Sequence, residues 1–176
     1  MRTNIALIGF MATGKTAVGQ VLAKKLNRQF IELDALIEQR AGKTIPEIFQ
    51  QHGEIAFREL EIETTREVAR CRNSVIACGG GIVLNKINID RLRESSTIVY
   101  LTASPKTILE RVSGEEGQRP LLEVENPALV ISELLKFRKA LYEQAADITI
   151  DTSRLDIDSV AEQIINRLKE DEGFSF

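Results

Sequence analysis

Two cysteines and one histidine are all the thiol and imidazole groups that these 176 residues carry. Cys71 and Cys78 have no histidine near them and match no zinc spacing. The pattern therefore predicts buried free thiols in a reducing compartment, with neither a disulfide framework nor a zinc centre. His52, alone in "FQQHGE", reads as a solvated residue near a helix end and not as a ligand or base. No apolar run approaches the roughly 18 residues that a bilayer span requires. The opening "MRTNIALIGF" is too short in its apolar part, and too soon followed by Lys15, to serve as a signal peptide. Positive charge is not in excess either: 23 Lys and Arg stand against 26 Asp and Glu, a net −3, which excludes a broad footprint for nucleic acid. A cytoplasmic, monomeric protein with no nucleic-acid or membrane partner is expected.

What is present has the balance of a soluble fold: 43% hydrophobic and 28% charged residues, near globular averages. The length suits a single domain over 1–176. Apolar, β-branched runs at 4–9, 29–33, 74–79, 96–102 and 147–151 predict five buried strands. Helical patterns lie between them, and strand alternating with helix predicts an α/β fold, a parallel sheet covered on both faces by right-handed crossovers. The stretch from Asp34 to Cys71 is too long for a minimal crossover and is punctuated by Gly42, Pro46 and Gly53, so it reads as an inserted helical lobe. The run "SGEEGQRPLLEVENP", 113–127, reads as a mobile flap, and the final "EDEGFSF" as a frayed end.

The strongest chemical signal is "GFMATGKT", 9–16, between the first strand and the first helix. G-x-x-x-x-G-K-[ST] in that context is the phosphate-binding loop pattern. Gly9 and Gly14 permit conformations that turn the N–H groups of Met11, Ala12, Thr13 and their neighbours inward as an anion nest. The helix that follows, through Lys15, Thr16 and Ala17, adds unpaired N–H groups and its dipole. Lys15 brings a full charge to the β- and γ-phosphates of ATP, and the Thr16 hydroxyl is placed to ligate Mg²⁺. The motif alone leaves open whether the phosphate is hydrolysed, transferred or sensed.

In an open α/β sheet, ligands bind beyond the carboxyl ends of the strands. Glu32 and Asp34 close the second run, and their alternation predicts two carboxylates on one side of a strand end, one for Mg²⁺ and one for a substrate hydroxyl. The triple glycine Gly79, Gly80, Gly81 ends the third and suggests close approach of backbone to ligand. Arg119, on the flap, suits the charge that spreads over a transferring phosphoryl group. Arg58 and Arg138 carry no decisive signal by themselves, since most helical arginines are solvated.

Taken in order and spacing, "GFMATGKT", "FIELDALIE", "IPEIFQQHGEIAFRELE", "CGGGIV", "RPLL" and "FRKALYEQAAD" resemble the shikimate kinase family from about Ile5 to Arg154. The resemblance implies a P-loop NTPase fold of the nucleoside-monophosphate-kinase type: a five-stranded parallel sheet flanked by helices, a helical substrate lobe at about 34–61 and a lid at about 112–124. It also implies ATP-dependent phosphorylation of the 3-hydroxyl of shikimate, on the route to aromatic amino acids. Residue by residue, it casts Asp34 as hydroxyl partner and base, Arg58 and Arg138 as the grip on the substrate carboxylate, and Gly79, Gly80 and Gly81 as pocket lining. Arg119 becomes the lid arginine, Arg111 the residue packed on adenine, and Arg154 part of the loop bordering it. The chain departs from the family at Glu32, where Asp is usual, and in a lid poorer in positive charge. A related gluconate-type kinase and a non-catalytic nucleotide switch are the competing readings.

Overall fold

The computed structural model describes residues 1–113 and 126–176. In chain order the elements are β1 (Asn4–Ile8), α1 (Lys15–Leu26), β2 (Gln29–Glu32), α2 (Leu33–Ala41), α3 (Ile45–Val68), β3 (Ser74–Ala77), a short 3-10 turn (Ile82–Leu84), α4 (Lys86–Ser95), β4 (Ser96–Thr102), α5 (Pro105–Ser113), α6 (Pro127–Ala145), β5 (Ile148–Asp151) and α7 (Ile157–Lys169). All five strands pair in parallel, in the order β2-β3-β1-β4-β5. The expected strands are each present, within one or two residues of their predicted ends.

β1 lies at the centre, and both its faces are covered, which is why "NIALI" shows no polar alternation. Ile5 and Leu7 face one apolar layer with Val18, Leu22, Val99, Leu101 and Ile164. Ala6 and Ile8 face the other, with Ile37, Ile76, Ile98 and Tyr100. Each fully buried aliphatic side chain contributes roughly 1.5–3 kcal/mol, so this strand is a strongly fixed platform for the loop that follows it. Its neighbours β3 and β4 lead away to opposite sides, so the segment after Ile8 emerges into the crevice between their connections.

Two helices occupy the predicted inserted lobe. Gly42 ends α2 in the left-handed conformation, φ 62°. Thr44 and Glu47 then form a reciprocal capping box at the start of α3, with Pro46 in its first turn. Gly53, at φ 78° and ψ 176°, breaks α3 into two arms.

Two expectations are corrected. Asp34 does not stand on a strand end beside Glu32: β2 stops at Glu32, and Asp34 lies in the first turn of α2. Leu33, Leu36 and Ile37 recur at helical spacing, and burial of Leu33 and Ile37 in the core favours helix from Leu33 onward. Nor is the C-terminus frayed. Arg2 N donates to Gly173 O at 2.9 Å, Ser175 N donates to Arg2 O at 2.9 Å, and Phe174 is buried with the Arg28 guanidinium 4.8 Å from its ring centre. An aromatic so near the chain end gains more from that seat than the terminus loses in entropy.

Cys71 and Cys78 are free thiols, and burial pushes the Cys78 thiol far up its titration range. His52 is exposed, and its Nε2 stands 3.0 Å from Lys43 Nζ. Among the described residues no helix is long and apolar enough to cross a membrane, and no group of three His, Cys, Asp or Glu side chains could hold a metal.

Candidate active site

The loop leaving β1 is shaped by steric necessity. A Cβ on Gly9, whose φ is 149°, would fall 2.2 Å from the Leu101 carbonyl oxygen of β4 and 2.9 Å from Thr13 Oγ1. Only glycine fits. Gly14 caps α1 at φ 95° with no side-chain hydrogen bond, and the first turn holds no acidic residue. Among the described residues no acceptor meets the main-chain N–H groups from Met11 to Gly14. The result is a positively polarised concavity at a helix start, suited to phosphate oxygens. Lys15 Nζ lies over this loop, donating to Gly9 O at 2.9 Å and Phe10 O at 2.8 Å. Thr16 Oγ1 donates to Glu32 Oε1 at 2.6 Å, so the end of β2 reaches the start of α1.

The triple glycine after β3 is the hub of the opposite wall, each residue facing a different group. A Cβ at Gly79 would stand 2.6 Å from Asp34 Oδ1; one at Gly81 would stand 2.5 Å from both Arg58 Nη atoms. Between them, Gly80 lies against the phosphate loop, with Met11 N 3.6 Å from its would-be Cβ. The Gly80 carbonyl accepts from Arg138 Nη1 at 3.4 Å and from the Tyr142 hydroxyl. Segments at 34, 58 and 138 thus meet at one turn that also touches the loop.

The electrostatics of this wall are costly. Burial pushes the Asp34 carboxyl above the ordinary carboxylate range; the Lys15 ammonium pulls it back, while Glu32 and Glu38 push it up further. Its Oδ1 is buried with no hydrogen-bond partner among the described residues, as is Arg138 Nε. Glu61, wholly buried, is likewise raised by burial against the pull of Arg58. Arg58 Nη1 donates to Glu61 Oε1 and Oε2 at 3.2 and 3.0 Å, and its other edge meets Glu54. The guanidinium is therefore locked in orientation by two carboxylates.

Of the expected residues, Gly9, Met11, Ala12, Thr13, Gly14, Lys15, Thr16 and Ala17 form the loop and helix start, with Glu32 at its flank. Asp34, Arg58, Arg138 and the three glycines gather beside it. Arg111, on α5, reaches the back of the loop, donating to Ala12 O at 3.0 Å. Arg154 is exposed in the turn after β5. Arg119 and the lid between Ser113 and Asn126 lie outside the described residues.

Three residues escaped the sequence reading. Glu61 occupies the core stripe of α3 with Phe57, Thr64, Thr65 and Val68, and a glutamate in an otherwise inward-facing stripe was the available signal. Tyr142 stands four residues after Arg138 on the same helix, stacked on Tyr100 with ring centres 4.9 Å apart. Burial pushes its phenol up to about 12, so it is a neutral donor. Thr152 prolongs the inward alternation of Ile148 and Ile150 and is itself buried.

A phosphate loop at the centre of a parallel sheet, with a half-buried carboxylate and two arginines gathered beside it, defines a small P-loop phosphotransferase of the metabolite-kinase class. The comparisons narrow this. The family model for "Shikimate kinase" matches residues 11–169. Shikimate kinase of Caldanaerobacter subterraneus subsp. tengcongensis is 48% identical over 92% of this chain and 94% of its own. The solved structure of shikimate kinase from Acinetobacter baumannii in complex with shikimate superposes with TM-score 0.92 at 36% identity, covering 98% of this chain and 96% of that one. The chain belongs to the shikimate kinase family. A gluconokinase from Sinorhizobium meliloti shares the fold alone, with TM-score 0.58 at 16% identity over 97% and 94% of the two chains.

Proposed function

We propose that this chain transfers the γ-phosphoryl group of ATP to the 3-hydroxyl of shikimate. The observation that carries this reading is the triple-glycine turn, on which Asp34, Arg58 and Arg138 converge next to the phosphate loop. Arg58 and Arg138 grip the substrate carboxylate, a planar anion matched to guanidinium geometry. Asp34 accepts the hydrogen bond of the reacting hydroxyl. As the hydroxyl oxygen bonds to the γ-phosphorus, the bond to the β-phosphate oxygen breaks and its electrons leave with ADP; the hydroxyl proton passes to the Asp34 carboxylate. Loop N–H groups and Lys15 hold the charge of the phosphates, with Arg119 closing over them from the lid. Positioning and charge stabilisation supply most of the acceleration, since a loose transition state needs little push from a base. Arg111 and Arg154 border the adenine.

The Thr16 hydroxyl and Glu32 carboxylate, 2.6 Å apart at the loop, are hard oxygen donors of the kind Mg²⁺ takes. Thr16 would hold it directly and Glu32 through water, and the ion when bound neutralises charge on the β- and γ-phosphates. The lobe at 34–61 carries the acceptor and the segment at 112–124 the lid, within one monomeric cytoplasmic enzyme.

The test is ADP release from Mg·ATP in the presence of shikimate, gluconate or nucleoside monophosphates. Release should depend on shikimate. Equal release without acceptor would make the protein a nucleotide switch or hydrolase, and release driven by gluconate would move it to the neighbouring kinase class.

A further inference from the structure

We infer that Thr152, acting with Arg111, is a positioning residue that clamps the phosphate loop from behind and so sets its affinity for polyphosphate. The inference rests on the loop being the phosphate site. A nest of inward N–H groups requires the adjoining carbonyls to point outward, and a carbonyl turned into the protein needs its own donor. Two consecutive ones are met in this way. Ala12 O accepts from Arg111 Nη1 at 3.0 Å, and Thr13 O accepts from Thr152 Oγ1 at 3.0 Å.

The clamp is closed on every side. Arg111 Nη1 also donates to Thr152 Oγ1 at 3.1 Å, and Arg111 Nη2 to Thr152 O at 2.8 Å. Thr152 N donates to Thr102 O at 2.8 Å, which fixes the residue between the ends of β4 and β5. Thr102 O lies 3.2 Å from the Thr152 hydroxyl, but it already has that N–H donor, so the single hydroxyl proton serves Thr13 O, the nearer acceptor. Thr152 is 3% exposed and stands 139 residues from Thr13, so its hydroxyl has no solvent role.

What the clamp holds is a conformation the loop does not prefer. Ala12 sits at φ 57°, a left-handed conformation in which a Cβ is disfavoured. Without the two donors behind it, Ala12 has reason to relax and carry the neighbouring N–H groups out of the nest. The clamp therefore works on the phosphates and not on the base, and Arg111 serves the loop with its guanidinium edge whatever its face does.

The experiment titrates the full chain with ATP, with inorganic tripolyphosphate and with shikimate, by calorimetry, alongside steady-state kinetics. Thr152→Val keeps the volume and loses the hydroxyl; Kd for ATP and for tripolyphosphate should each rise about tenfold. The shikimate Kd should stay within twofold, and kcat should change less than KM for ATP. Thr152→Ser should restore the parent values, and Ala12→Gly added to Thr152→Val should recover most of the loss. Thr152→Ala replaces the valine variant if thermal unfolding shows the latter unfolded. Unchanged tripolyphosphate binding in the hydroxyl-free variant, or a serine variant as weak as valine, overturns the clamp. A parent protein that binds neither ATP nor tripolyphosphate overturns the site reading and the clamp with it.

Discussion

The two walls of the site hold charge by opposite means. On the donor wall the work is done by main chain: a Gly9 that tolerates no Cβ, a Gly14 in the left-handed region, and amides turned inward. On the acceptor wall it is done by side chains drawn from α2, α3 and α6, with Asp34 and Glu61 both raised by burial and with Asp34 Oδ1 and Arg138 Nε lacking partners among the described residues. The donor wall is a shape: its outward carbonyls are met from behind by Arg111 and Thr152, and its inward N–H groups are left open to an anion. The acceptor wall is an electrostatic arrangement whose unmet polar groups await a ligand, and it lowers the stability of the protein that carries it.

The largest expected effect separates activity from stability at Asp34. Asp34→Asn should lower kcat about a thousandfold, within the range that acid–base groups supply, and abolish the acid limb of the rate profile. That limb should lie above the ordinary carboxylate value, since burial raises the carboxyl and the role proposed for it requires the ionised form. The same substitution should raise Tm at neutral pH by a few degrees. A carboxyl raised on folding binds protons more tightly in the native state. Its contribution to stability is then full below the unfolded-state pKa and is lost as pH rises through the raised value. An amide does not ionise and escapes that loss. Thermal unfolding of both proteins at acid and neutral pH checks the sign; an Asn variant less stable than the parent at neutral pH would place the strain elsewhere.

The contrast between the walls also explains what the sequence disclosed. Conformations that only glycine adopts leave glycines at fixed spacing, so the loop and the third strand's exit were legible from "GFMATGKT" and "CGGGIV" alone. The sheet was legible because β-branched apolar runs mark buried parallel strands. Arg58 and Arg138 look in sequence like any helical arginine, and their place was legible only through family likeness, because their meeting point on Gly80 and Gly81 is set by tertiary packing. Asp34 was misplaced for a local reason: period-2 and period-3.6 patterns agree over "FIELD", and burial of Leu33 and Ile37 decides for the helix. Glu61, Tyr142 and Thr152 each carried a faint signal, a polar residue on an inward stripe, but which groups they serve depends on contacts across distant parts of the chain.

A pair of glycine substitutions tests whether the donor wall is indeed a matter of shape. Gly9→Ala meets both a left-handed φ and a carbonyl oxygen 2.2 Å away, that of the buried Leu101 on β4. Gly42→Ala, in the lobe, meets only the left-handed φ of 62°, with nothing within 4 Å. The first should cost about 3 kcal/mol or more and abolish ATP binding; the second should cost about 1 kcal/mol and leave kinetics unchanged. Denaturant midpoints measure both. Equal costs would mean that backbone conformation alone, and not the close approach of β4, makes Gly9 irreplaceable.

The smallest effect is expected where the two walls touch, at the bond between Thr16 and Glu32. Glu32→Asp withdraws the carboxylate by about 1.5 Å, one carbon–carbon bond, and opens the 2.6 Å contact with the Thr16 hydroxyl to a bridging water. Mg²⁺ keeps several of its waters and accepts a carboxylate through them, so the Mg²⁺ concentration for half-maximal rate should shift by no more than about threefold with kcat unchanged. Thr16→Ala, which removes the proposed direct ligand, should raise that concentration about tenfold, as expected when a single oxygen ligand is lost. Initial rates against free Mg²⁺ for the two variants decide the order. If the aspartate variant suffers more than the alanine variant, the metal belongs to the end of β2 and not to the loop, and the donor wall is then no longer built from main chain and one ammonium alone.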